Sequence, residues 1–117
     1  MEDRLIKNIP YAEALNLVEM VDYKEGQVVS RTFAQNPSLS FTLFAFDKGE
    51  GISAHTVTAD AVVLILDGTA TITIGEETIR ATTGQAVAMP EGVPHGLKAE
   101  ERFKMLLFVV RRLKTID

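Results

Sequence analysis

The stretch Ala61–Pro90, AVVLILDGTATITIGEETIRATTGQAVAMP, decides the fold. It reads as four short runs cut by glycine turns. AVVLIL is apolar and β-branched, with the length of one buried strand. Asp67-Gly68 follows, a dipeptide that favours a tight hairpin because both central residues tolerate positive φ. TATITI then alternates: Ala70, Ile72 and Ile74 share one face, and three threonines share the other. Gly75-Glu76 turns the chain into TIRAT, and Thr83-Gly84 turns it again into AVAMP.

The same rhythm continues in both directions. Upstream lie VVSRTFAQ, a turn at Asn36-Pro37-Ser38, SLSFTLFAF, a break at Asp47 to Gly51, and ISAHTV. Downstream, a loop from Pro90 to Pro94 leads into HGLKA and FKMLLFVV. Many short strands with β-branched residues and Gly/Pro turns predict an all-β domain, an antiparallel sandwich or barrel. The first 20 residues are ambiguous. Ala14, Leu17, Val18 and Val21 fit a helical stripe that Pro10 could open, while Leu15 and Leu17 fit a strand.

Composition narrows the function classes. A chain of 117 residues is one domain by length and can bury a core without staples. Its net charge is −4, and no basic cluster exceeds Arg111, Arg112 and Lys114. A nucleic-acid partner would want a positive face, so none is expected. There is no cysteine, which excludes disulfides and thiol chemistry. The N-terminus MEDRLIKNIP is charged where a signal peptide needs an apolar run. The longest apolar runs are six residues, against roughly 20 for a membrane helix. The expectation is a cytoplasmic protein with no membrane partner.

Two glycine–histidine patterns then resemble the motifs of the cupin family. Gly49, His55 and Gly68 match in spacing the opening glycine, first histidine and closing glycine of the first motif. Val57 stands where that motif has its second histidine, and Ala61 where it has a glutamate. Gly84, Pro90, Gly92 and His95 match the second motif, with Ala99 in place of its asparagine. LDGTATITIGEE fits the hairpin between the motifs. The likeness covers about residues 27–110. It implies a cupin-like antiparallel jelly-roll β-barrel over residues 25–112. An N-terminal segment 1–24, strand or short helix, would serve dimer contacts, and residues 113–117 would form a tail. Small cupins commonly dimerise, so a homodimer is expected.

The resemblance also implies a divalent metal inside the barrel, held by three histidines and a glutamate. Carried over residue by residue, only His55 and His95 remain. Asp60 lies one position from the glutamate's place. It is either a third ligand, completing a two-histidine, one-carboxylate set, or a turn residue bonding its own backbone. Thr58 to Asp60 reads as a turn. On a strand, residues 55 and 57 point the same way, so Val57 would line the ligand pocket beside His55. Gln35 and Met89 are weaker pocket candidates, alternatively a turn residue and a core filler. Neutral imidazole suits Fe, Ni, Mn or Zn. A full structural zinc site is worth roughly 10–16 kcal/mol. Two ligands sharing it equally give a dissociation constant of roughly 1–200 μM.

Three readings remain open. The first is a metal-dependent dioxygenase, isomerase or lyase acting on a small organic molecule. The second is a non-catalytic ligand-binding or structural cupin with a decayed site. The third is a metal-free isomerase or epimerase in which a histidine moves the proton.

Overall fold

The computed structural model describes residues 4–113. Tail residues 114–117 lie outside the described residues. The described chain forms strands β1 (Val28–Gln35), β2 (Leu39–Phe46), β3 (Gly51–His55), β4 (Ala59–Asp67), β5 (Thr69–Ile74), β6 (Glu77–Thr82), β7 (Ala86–Met89), β8 (His95–Lys98) and β9 (Phe103–Arg111). All strand pairs are antiparallel. They form a five-stranded sheet in the order β1-β2-β9-β4-β7 and a four-stranded sheet in the order β3-β8-β5-β6.

Alternation along each strand builds the core. Phe46, Val63, Ile65, Ala70, Ile72, Met89, Leu97, Phe103 and Met105 are buried in one cluster, on the faces that the two sheets turn to each other. Phe46 and Phe103 stack there with ring centres 4.7 Å apart. On TATITI the isoleucines and Ala70 pack inward and the threonines stay less buried, as the sequence predicts.

The neighbouring positions on β2, β4 and β9 point the other way and make a second cluster. Val21, Phe33, Leu43, Ala45 and Leu106 are buried in it, and Ile9, Leu17, Met20, Tyr23, Leu64 and Leu66 pack against them. The N-terminal segment therefore lies over the outer face of the large sheet. Its one regular piece is a short 3-10 helix at Leu17–Glu19, and the rest of the described segment is irregular. Side-chain bonds tie it down. Lys104 Nζ donates to the Val18 carbonyl, and the Tyr23 hydroxyl donates to Asp67. Burial, reinforced by Asp67, pushes the Tyr23 hydroxyl well above its ordinary range. Fully burying a side chain such as Val21 contributes about 1.5–3 kcal/mol.

One expectation fails in an instructive way. Asp67-Gly68 is not a hairpin, because β4 and β5 belong to different sheets. Only Gly68 has positive φ, +83°. A Cβ there would sit 2.6 Å from the Arg102 carbonyl oxygen. Glycine is thus required for the chain to cross between sheets at close quarters. The tight hairpin comes next, at Gly75-Glu76 between Ile74 and Glu77. Its glycine, φ +60°, occupies the first central position, as a type II′ turn demands.

Candidate functional site

Register brings the two histidines together. β3 pairs with β8, and His55 lies directly opposite His95. Their ring centres are 5.1 Å apart. A bulge between Ile52 and His55 separates this pair from the regular pairing below it. His95 also pairs with Ile74 of β5, so it stands on an internal strand. It shares a side of β8 with core residue Leu97 and is 6% exposed, whereas His55 is exposed at the strand end.

Both rings are oriented by the same local device. His55 Nδ1 is 2.9 Å from the Ser53 carbonyl, and His95 Nδ1 is 3.2 Å from the Val93 carbonyl. A carbonyl only accepts, so Nδ1 donates in each case. In the neutral ring the lone pair is then left on Nε2, the arrangement that second-sphere carbonyls impose on metal-binding histidines. The separation of the ring centres, 5.1 Å, matches the spacing of two rings that share one ion. With a metal–nitrogen bond of about 2.1 Å and about 1.2 Å more to the ring centre, two rings at an angle of about 100° are about 5 Å apart.

The other candidates do not join them. Asp60 is not in a turn; it is the second residue of β4, exposed between buried Ala59 and Ala61 and opposite Val110. Its Oδ1 accepts from the Glu91 amide at 2.8 Å. Among the described residues, no three His, Cys, Asp or Glu side chains converge closely enough to hold a metal ion. Strand alternation is what turns Asp60 outward, since β4 starts earlier than its sequence suggests. Val57 lies beyond the end of β3, half-buried, and its carbonyl accepts from Gly92 N at 3.0 Å. The argument that it shares a strand face with His55 therefore lapses. Met89 is a core residue, 2% exposed, opposite Ala61. Gln35 ends β1, exposed and opposite Ser40.

Sequence reasoning missed the residues that hold the site. Ser53 and Val93 act through their carbonyls, which no residue-type signal marks. The sequence offered a partial cue in Pro90-x-Gly92-x-Pro94, a rigid loop delivering His95. A concavity without either histidine lies elsewhere. A groove of about 530 Å³ on the outer side of the small sheet is lined by Gly51, Thr71, Thr73, Thr78, Gly96 and Lys98 among others. It contains neither histidine, so its size says nothing about their chemistry.

Comparison with known proteins follows the same line. Residues 42–111 match the family model described as a cupin domain. The chain belongs to the cupin family. A conserved protein of unknown function from Streptococcus pyogenes is 44% identical, with 96% of this cupin and 98% of that chain aligned at a TM-score of 0.93. A cupin superfamily protein from Desulfitobacterium hafniense is 31% identical, covering 92% and 98% at a TM-score of 0.87. An uncharacterised protein from Streptomyces coelicolor is 35% identical over 63 residues, 54% of this cupin and 60% of that relative. This cupin thus spans less than two thirds of that curated relative. No helix among the described residues is long and apolar enough to cross a membrane.

Proposed function

We infer that this small cupin binds a divalent metal ion through Nε2 of His55 and Nε2 of His95, and acts there on a small organic molecule. One observation carries the reading: the two facing rings both give Nδ1 to a backbone carbonyl, which leaves both Nε2 atoms free. Fe, Ni, Mn and Zn all accept this donor set. Such an ion, when bound, supplies Lewis acidity and open coordination positions for a substrate carboxylate or hydroxyl. The chain's own part is to orient the two rings and to back His95 with the apolar core. Affinity in the micromolar range is expected from two protein ligands.

The test is calorimetric titration with Zn, Ni, Fe(II) and Mn, comparing wild type with H55A and H95A. Micromolar binding lost in both variants supports the site. Affinity indifferent to both substitutions overturns it, and leaves the non-catalytic barrel as the reading. The metal-free isomerase reading is disfavoured by the surroundings. Tyr11 and Tyr23 bond to Ile6 and Asp67 respectively and supply no second acid to the pair.

A second copy is the partner this reading carries. Leu17 and Val21 already pack on the chain's own sheet. Leu5, Ile6 and Leu15 stay exposed, as do Leu39, Val62, Phe108 and Val110 on three adjacent strands of the large sheet. Sedimentation at micromolar concentration is expected to give a dimer; monomer alone contradicts it.

A further inference from the structure

The loop that delivers His95 is tied on several sides. Residues Pro90 to Pro94 join β7 to β8. Glu91 N donates to Asp60 Oδ1 at 2.8 Å, and Gly92 N donates to the Val57 carbonyl at 3.0 Å. The Pro94 carbonyl accepts from Gly75 N at 2.8 Å. The Glu91 carboxylate accepts from Arg112 Nε at 3.0 Å and from its second guanidinium nitrogen at 2.5 Å. Two of the five residues are prolines without an amide hydrogen. That leaves three amides, and these contacts hold two of them. The loop also carries the Val93 carbonyl that receives His95 Nδ1.

We propose that Asp60, together with Glu91 and Arg112, is a positioning clamp for His95. The Asp60 carboxylate reaches from β4 to the loop and fixes Glu91. Arg112, just past the end of β9, holds Glu91 from its other end. Fixing this loop keeps the Val93 carbonyl within reach of Nδ1, so the proton stays on Nδ1 and Nε2 stays free. Among the described residues His55 has no such clamp: its partner carbonyl, Ser53, lies on its own strand. Asp60 thus acts on the site without touching a ligand of it. Its effect on metal affinity rests on the function inferred above, but its effect on the ring does not.

The experiment is nitrogen NMR of the imidazoles in the metal-free protein, for wild type, D60A and D60N. In D60A the His95 resonances are expected to move from the Nδ1–H form toward a tautomer mixture, with His55 unchanged. D60N keeps an oxygen that accepts from Glu91 N, so it is expected to retain the wild-type signals. Titration with Ni should show about a tenfold weaker affinity in D60A and none of this loss in D60N, the scale of a lost second-sphere contact. Unchanged His95 signals in D60A overturn the proposal. So does an equal disturbance of both histidines, or a D60N as disturbed as D60A. If D60A does not fold, R112A at the other end of the clamp carries the test. A change selective for His95 supports the clamp, and no change overturns it. A wild type that takes up no Ni sinks the metal reading alone, because the tautomer measurement needs no metal.

Discussion

His55 and His95 share one register position but stand on different kinds of strand. β3 is the outermost strand of its sheet, bonded on one side only, and four of its five residues are exposed. β8 lies between β3 and β5, and its first three residues are buried. One ring is therefore held by the core and a clamped loop. The other is carried on an edge that can give. The proposed two-histidine site would gain from this asymmetry: a fixed ring needs little reorganisation, and a compliant one can close on ions of different radius.

The largest effect should come from the rings themselves. H95A and H55A are each expected to weaken Ni binding at least hundredfold, about 2.7 kcal/mol. Only H95A should also lower stability, by about 1–3 kcal/mol, since it empties a buried position and orphans a carbonyl. H55A, at an exposed edge, should stay within about 0.5 kcal/mol. Denaturant melts separate the two; equal destabilisation would erase the contrast.

Glycines on the two sides should differ in the same direction. Gly68 feeds β5, which supports His95, and its Cβ position is blocked by backbone. Gly49 leads toward β3 with φ +88° and open space around it. G68A is expected to cost about 2–4 kcal/mol and G49A about 1–2 kcal/mol, the left-handed conformation alone. A G68A protein melting like wild type would mean the sheet crossing is less constrained than its geometry implies.

V57H offers a third ligand where the family carries one. With strand alternation no longer a guide at residue 57, the family's motif is the ground for expecting Ni binding to tighten about tenfold, or 1.4 kcal/mol. No change would show that residue 57 points away from the pair.

The smallest effect concerns the turn before β3. The amide of Gly26, then that of Lys48 and the Arg102 guanidinium, hold the Asp47 carboxyl below its usual range. A carboxyl depressed in the folded state contributes stability above its ordinary range. That contribution is lost as pH falls through it. Thermal melts from pH 7 to pH 3 should show a steeper acid decline in wild type than in D47N. His95, backed by another part of the sheet, should keep its tautomer in D47N.

Much of this was legible in residues alone. The nine strands fall where short alternating runs sit between turns, because side-chain period is a local property. Asp67-Gly68 was misread because a dipeptide reports turn-forming ability, not whether its flanking strands share a sheet. Asp60 was misread because its role depends on where β4 begins, and one residue reverses a strand's face. The facing of His55 and His95 was legible only through the resemblance of the two glycine–histidine patterns to cupin motifs. The carbonyls of Ser53 and Val93 were not, since every residue carries one. The N-terminal pattern was equally mute: its apolar positions record a need for burial, not the sheet face that meets it.

Strand order has a consequence for how the molecule comes into being. β9 lies between β2 and β4 in the large sheet, with Leu39 opposite Val110 and Phe46 opposite Phe103. The middle strand of that sheet is thus the last in chain order of the nine described strands. Until it arrives, β2 and β4 each present a bare edge, and Phe46 and Val63 lack their cover. Pairings so distant along the chain close slowly. A nascent chain in that condition is open to mispairing with its neighbours. The large sheet therefore cannot close before β9 is available, and its two halves stay apart until then.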